Sequence, residues 1–156
     1  MQLRDAEKFE ISAQSWSELP RMQHARTAFM PVLYQAQFYL IASAPGLLPI
    51  EVFPPLSETY QVLDVSIQGD SYEATSFLVD DEIMIIRYGA SALRWRPGQS
   101  SYRSFPVSLP DFNCAISATS PKVVRKTVYW TQYMWGHLVK FDLETCTAKY
   151  VYTFSE

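Results

Sequence analysis

The sequence predicts an all-β protein built from repeated antiparallel sheets. Its 156 residues are 48% hydrophobic and 15% aromatic, a composition that favours strands and argues against disorder. Three short apolar runs begin 45 residues apart, at Phe38, Ile83 and Val128. A period of about 40 to 50 residues with several strands per period is typical of a β-propeller, in which each repeat is one four-stranded blade.

An aromatic position follows each apolar run. The aromatic residues are Phe53, Trp95 and Phe141. Seven positions after each of them come Tyr60, Tyr102 and Ala148, respectively. Aromatic side chains supply the largest buried area per residue. We therefore predict that five aromatic residues pack in the core between blades: Trp16, Trp95, Trp130, Phe53 and Phe141.

The first two repeats divide into four strands each. For the first blade, residues 24–66, we predict strands at 25–33, 38–42, 51–53 and 60–65, with a turn at 35–36 and a loop at 43–49. For the second blade, residues 71–109, we predict strands at 71–79, 82–87, 91–96 and 102–107. Asp80 and Asp81 fit a two-residue hairpin turn, and Pro97-Gly98 fits the centre of a β-turn.

The third repeat and the N-terminus complete the assignment. In the third blade, residues 111–155, strands are predicted at 112–119, 127–132, 137–142 and 149–154, with a basic turn at 120–126. Residues 1–14 are a polar segment, either a frayed helix or the end of a longer upstream segment. Trp16 to Leu19 forms one extra outer strand, and the partial propeller spans residues 15–156.

Three blades are too few for a closed ring, because closed propellers have about four or more. Two solutions follow. The chain is the C-terminal part of a longer propeller, or two chains of three blades each form a six-blade ring with two-fold symmetry. In either case we expect the isolated chain to expose apolar blade faces and sheet edges that favour association.

The N-terminal junction resembles that of Kelch repeats. Trp16, Leu19, Pro20, Met22 and Arg26 match the Kelch junction W-x-x-L-P-x-M-x-x-x-R, where an outer strand leads into the next blade. The third repeat also resembles F-box-associated propellers, in the segments 128–130 and 138–144. The chain departs from the Kelch pattern at the double-glycine positions, which hold Ala42-Ser43, Arg87-Tyr88 and Gln132-Tyr133.

The resemblance to Kelch domains implies a binding rim at one end of the central channel. It assigns to that rim the residues beside the junction and after the double-glycine positions. With the adjacent loop, the predicted partner-binding residues are Arg26, Thr27, Ser43, Arg87, Tyr88, Gln132, Tyr133 and Trp135. The alternative is that these residues replace glycines and only fill space.

Charge and cysteine content exclude several classes of partner. The net charge is −3 and the isoelectric point about 5.4, and no dense basic cluster is present for nucleic acid or an anionic membrane. Cys114 and Cys146 lie in no metal-binding spacing, and we expect both to be free, half-buried thiols. No signal peptide or membrane span is recognisable. We therefore expect a soluble, cytoplasmic chain.

Catalytic and metal-binding signals are weak. His24 and His137, the only histidines, belong to different repeats, whereas a zinc or copper site needs several ligands at suitable spacing. The acidic run at 80–82 fits a solvated turn, and no nucleophile or phosphate-binding motif occurs. We expect no cofactor and no enzymatic activity.

The sequence thus predicts a non-catalytic protein–protein interaction module. Its rim loops would recognise a partner peptide or protein, as a substrate receptor or scaffold. The first alternative is a structural subunit that docks through exposed blade edges onto other subunits or onto a second copy completing the propeller. The second is a propeller enzyme acting on sugars.

Overall fold

Residues 4–26, 29–42, 46–54, 59–69, 74–87, 91–108, 121–132 and 136–153 are described by the computed structural model. Within them the chain forms strands and no helix. An N-terminal hairpin consists of β1 (Glu7–Glu10) and β2 (Ser15–Glu18). The first sheet contains β3 (Phe29–Tyr34), β4 (Gln37–Ala42), β5 (Gly46–Phe53) and β6 (Gln61–Gly69).

The other two sheets repeat this arrangement. The second contains β7 (Ala74–Val79), β8 (Glu82–Arg87), β9 (Ser91–Trp95) and β10 (Arg103–Pro106). The third contains β11 (Lys122–Val124), β12 (Thr127–Gln132), β13 (His137–Asp142) and β14 (Thr147–Thr153). In each sheet, neighbouring strands are consecutive and antiparallel. The predicted all-β class with three four-stranded antiparallel sheets is confirmed.

Two-residue turns join the first two strands of each four-stranded sheet. They lie at 35–36, 80–81 and 125–126, and therefore 45 residues apart. In the first two turns both residues have positive φ, from 46° to 62°. This left-handed backbone matches the twist of the flanking strands. Each first strand is thereby folded directly onto the second.

Register explains the repeated aromatic positions. The first residue of each apolar run pairs across the sheet with the aromatic of the next strand: Phe38 with Phe53, Ile83 with Trp95, and Val128 with Phe141. The seven-residue interval then spans the hairpin to the fourth strand. Phe141 pairs with Ala148, and the rings of Phe53 and Tyr60 lie 5.0 Å apart.

Apolar side chains fill the spaces between adjacent sheets. Strand β8 of the middle sheet illustrates why its sequence is continuously apolar. Ile83 and Ile85 join a cluster with residues of the first sheet, while Met84 and Ile86 join a cluster with residues of the third. A strand covered on both faces has no polar side, so its sequence shows no alternation. The innermost strands β3, β7 and β11 lie side by side along this stack.

Several predicted boundaries are wrong. The segment 43–49 was expected as a loop, but β5 begins at Gly46 and pairs with β6 as far as Gly69. The basic turn predicted at 120–126 contains strand β11, because Lys122 to Val124 pair with β12. The strand predicted at 112–119 lies outside the described residues.

The N-terminal prediction also needs correction. Residues 7–10 are not a frayed helix, because β1 pairs with β2 from Glu7↔Glu18 to Glu10↔Ser15. The single outer strand is thus a two-stranded hairpin. Trp16 is 68% exposed and is not a core residue, whereas Trp95, Trp130, Phe53 and Phe141 are buried as predicted.

Candidate functional site

The segment from Leu19 to Arg26, here called the handover segment, connects the outer hairpin to the innermost strand of the first sheet. It crosses the face of that sheet that is turned away from the second sheet. We call this face the first end face; it carries Leu33, Phe38, Leu40, Glu51 and Phe53. Met22 of the handover segment packs there against Leu40, Phe53 and Tyr60.

Glu51 is the centre of the contacts between the handover segment and the first end face. Its Oε2 accepts a hydrogen bond from the backbone N–H of Gln23 at 2.8 Å. Its Oε1 accepts one from the backbone N–H of His24, also at 2.8 Å, and lies 2.9 Å from His24 Nδ1. A single carboxylate therefore fixes two consecutive peptide units of the handover segment.

Arg26 supplies the positive charge beside this carboxylate. Its Nη2 donates to Glu51 Oε1 at 3.0 Å and to the backbone carbonyl of Pro49 at 2.8 Å. Both charged side chains are 0% exposed. Among the described residues, the Nε and Nη1 groups of Arg26 have no hydrogen-bond partner. Within the described part of the chain, the guanidinium is thus paired through Nη2 alone.

Burial and hydrogen bonding act in opposite directions on the pKa of Glu51. Removal from water favours the neutral acid and by itself raises the pKa. The backbone N–H groups of Gln23 and His24, followed by the guanidinium of Arg26, favour the carboxylate and outweigh burial, so the pKa lies below its ordinary value. Glu51 is therefore ionised at neutral pH.

The position of Glu51 is unusual within the repeat. Glu51 pairs with Leu40 on β4, whereas the equivalent pairs in the other sheets are Leu93 with Ile85 and Val139 with Trp130. A carboxylate thus replaces an apolar residue in one of three sheets. Glu51 was not among the predicted site residues; the signal that would have identified it is an acidic residue at a position that is apolar in the other repeats.

Backbone and side-chain hydrogen bonds continue this anchoring towards the N-terminus. Leu19 N donates to Ala6 O at 2.8 Å, and Met22 N donates to Arg4 O at 2.9 Å. Arg4 in turn donates to the carbonyls of Met22, at 2.9 Å from Nε, and of Gln23. The β1–β2 hairpin is therefore tied to the handover segment, and through Glu51 to the first sheet.

The first end face is only partly covered by this segment. Leu33 is 57% and Phe38 39% exposed, although both lie on the inner strands β3 and β4. Their equivalents in the second sheet, Leu78 and Ile83, pack against the first sheet. The same apolar positions are thus covered in one repeat and open to solvent in the other.

The outward face of the third sheet, here called the final end face, has a different character. Val139 and Phe141 point towards the second sheet, so the alternating residues point outwards. Across the three outer strands, Tyr129 pairs with Lys140 and Lys140 with Lys149. Thr127, Asp142 and Thr147 form the adjacent row on the same face. These two rows are thus mainly polar, although Val124, which pairs with Thr127 on this face, is 54% exposed.

Five of the eight residues predicted for the rim lie outside the described residues: Thr27, Ser43, Tyr88, Tyr133 and Trp135. Arg87 and Gln132 end β8 and β12 at equivalent positions, 45 residues apart. Arg26 is described and buried, so in this arrangement it holds the handover segment and does not present its guanidinium to solvent. Its predicted contribution to a binding rim would therefore be indirect.

Residues with weak catalytic or metal-binding signals make the following contacts in the described ranges. His24 contacts Glu51, and Nδ1 of His137 lies 3.0 Å from Thr153 Oγ1 on the neighbouring strand. Asp80 and Asp81 form the hairpin turn. No group of three or more histidine, cysteine or acidic side chains suited to a metal is found among the described residues. The same ranges contain no helix with the length and hydrophobicity to cross a membrane. Cys146 is a free, half-buried thiol, and Cys114 is not described.

Comparison with solved structures supports the propeller architecture. The chain is similar to a chain from a crystal structure of the nidogen/laminin complex, of β-propeller type, with a TM-score of 0.64 and 12% sequence identity. The match covers 99% of this chain and 56% of the other, so this chain spans little more than half the length of its structural neighbour. At this identity the likeness concerns the fold alone. No protein-family model and no curated protein sequence matches the chain.

Proposed function

We propose that this chain is a non-catalytic protein–protein interaction module whose partner covers the first end face. The observation that carries the proposal is the exposure of Leu33 and Phe38 at positions whose equivalents are covered by a neighbouring sheet. Exposed apolar area on a folded surface favours association, because removing that area from water contributes a stabilising free energy of about 25 cal/mol per Å². The position of this area on a regular sheet fits a protein partner.

The rim is a second candidate surface for a partner. Arg26 supports it indirectly, because its buried guanidinium holds the segment that leads to the predicted rim through Glu51 and the carbonyl of Pro49. In this version a peptide or protein loop contacts the predicted rim residues Tyr88, Tyr133 and Trp135.

Several finer features belong to the same proposal. They are a Kelch-type repeat, a role as substrate receptor or scaffold, a cytoplasmic location, and the absence of a cofactor, of catalysis, and of nucleic-acid or membrane binding. A homo-oligomer that completes the propeller, a permanent structural subunit and a propeller enzyme acting on sugars are the alternatives. The fold is compatible with each of them.

Differential capture tests the proposal. The purified chain and its Leu33→Asp/Phe38→Asp variant are immobilised and exposed to the same extract. A matched control carries Val124→Asp and Val151→Asp, two exposed apolar residues of the third sheet. We expect a protein retained by the wild type and the control but lost from the first variant. Identical retention by all three chains would contradict use of the first end face. A fourth chain carries Tyr88→Ala/Tyr133→Ala, and loss of the retained protein from this variant alone would favour the rim.

A further inference from the structure

The β1–β2 hairpin repeats a feature of the complete sheets. Phe9 and Trp16 are seven residues apart and pair directly across the two strands. Their ring centroids lie 5.1 Å apart, compared with 5.0 Å for Phe53 and Tyr60. Phe9 therefore corresponds to Phe53 in the repeat, and β1 and β2 correspond to β5 and β6.

This correspondence makes the hairpin the outer half of a further blade. In the first sheet, β5 pairs with β6 on one side and with β4 on the other. Among the described residues, β1 pairs only with β2. In a complete blade, a strand equivalent to β4 pairs with the other edge of the strand equivalent to β1. Leu33 and Phe38 lie on β3 and β4, the inner strands of the first sheet, where the inner half of that further blade would cover them.

We propose that this site accepts a two-stranded β-hairpin from a partner protein. The hairpin pairs through its backbone with the open edge of β1 and places an apolar face on Leu33 and Phe38. Backbone pairing with an exposed strand edge supplies affinity, and alternate side chains supply specificity. This inference rests on the proposed function and specifies the class of partner.

The repeat itself defines the chemistry of the partner. The partner hairpin takes the place of the two inner strands of a blade, as β7 and β8 do in the second sheet, which packs against the third. There, Phe77, Val79, Met84 and Ile86 form the apolar face. The partner hairpin therefore has two strands of about six residues, a two-residue turn and apolar side chains at alternating positions on the face that meets Leu33 and Phe38.

A second copy of the chain is a poor source of this hairpin. In the described residues, every strand from β3 to β14 already belongs to a four-stranded sheet. A second copy would have to open one of its own sheets to donate two strands. Docking its final end face instead would place Lys140 and Asp142 against an apolar surface, which costs desolvation free energy.

An N-terminal fusion tests the site with a hairpin of known sequence. Residues 1–3 are replaced by a copy of residues 74–89, which puts the copied β7 and β8 before Arg4 in the order found in the second sheet. We expect the melting temperature to rise by roughly 5 °C or more and the amide hydrogens of β1 to exchange more slowly. A control fusion carries Met84→Ser and Ile86→Ser in the copied segment only, and it should show neither effect.

A peptide of residues 74–89, added to the unmodified chain, then tests whether the hairpin can act as a separate molecule. Binding that is lost in the Leu33→Asp/Phe38→Asp variant, together with a stabilised fusion, supports the proposal. If the fusion is stabilised but the peptide does not bind, the proposal of a separate partner protein is overturned. The site is then assigned to a hairpin of the same polypeptide. A fusion no more stable than its control would overturn the site itself, even if capture on the first end face succeeds.

Discussion

Glu51 and Arg26 form an ion pair that is completely removed from solvent, with 3.0 Å between Oε1 and Nη2. The pair joins the handover segment to the first sheet at a repeat position that is apolar in the other two sheets. A carboxylate is costly there unless donors surround it, and three residues of the handover segment provide them. The N-terminal hairpin therefore depends on this contact for its position.

Removal of the Glu51 carboxylate should destabilise the fold strongly. Glu51→Ala leaves the buried guanidinium of Arg26 without its counter-charge, and breaking a buried pair in this way costs about 3–5 kcal/mol. Urea unfolding followed by circular dichroism measures the loss in free energy of unfolding. Glu144→Ala, which removes the exposed ion pair with Lys126, is the matched control and should change stability little. Equal effects of the two substitutions would contradict a structural role for Glu51.

Acid should weaken the fold partly through Glu51. Because the pKa of Glu51 in the folded chain is below its ordinary value of 4.5, the folded state favours the ionised form. Its contribution is complete above that value and is lost as the pH falls through the lower folded pKa. The difference in free energy of unfolding between wild type and Glu51→Gln should therefore shrink below about pH 4.5. Unfolding curves from pH 7 to pH 3 measure this, and a constant difference would rule out the linkage.

Trp95 and Trp16 should respond very differently to truncation. Trp95 is fully buried between the first two sheets, so Trp95→Ala should cost about 3–5 kcal/mol. Trp16 contacts Phe9 on an exposed hairpin, and Trp16→Ala should cost less than about 1 kcal/mol. Chemical unfolding of both variants makes the comparison. A large loss in the Trp16 variant alone would show that the hairpin has a covered face.

The turn at Gln35–Ala36 should be improved by glycine. Ala36 has a φ of 58°, a left-handed conformation that strains a side chain with a Cβ atom. Ala36→Gly should therefore raise the free energy of unfolding by roughly 0.5–1 kcal/mol. Ala148→Gly, placed within strand β14, should lower it by a similar amount. The same sign for both substitutions would refute the explanation.

The sequence was informative wherever the repeat controls the structure. The runs that begin at Phe38, Ile83 and Val128 are the second strands, and the turn at Asp80–Asp81 is placed correctly. These features depend on local periodicity, which a single sequence displays. Loop boundaries were less accurate: residues 46–49 are strand only because β6 is long enough to pair with them.

The features that the sequence did not predict depend on contacts between residues that are distant in the chain. Nothing local distinguishes Glu51 from a surface acid, since its donors are 25 to 28 residues away in the chain. Phe9 and Trp16 have the same seven-residue interval, but residues 1–14 were predicted as a separate polar segment. The prediction that Trp16 is buried failed because the described hairpin has no sheet against its aromatic face.

The polar final end face has a consequence for how far assembly can proceed. Copies with two apolar ends add head to tail, and they form a ring where the rotation closes and an open fibre where it does not. Here, the row of Tyr129, Lys140 and Lys149 places two lysines on the final end face, and burying them against an apolar end of another copy costs desolvation free energy. The lysines of the final end face therefore disfavour head-to-tail addition of further copies, while association through the first end face is unaffected.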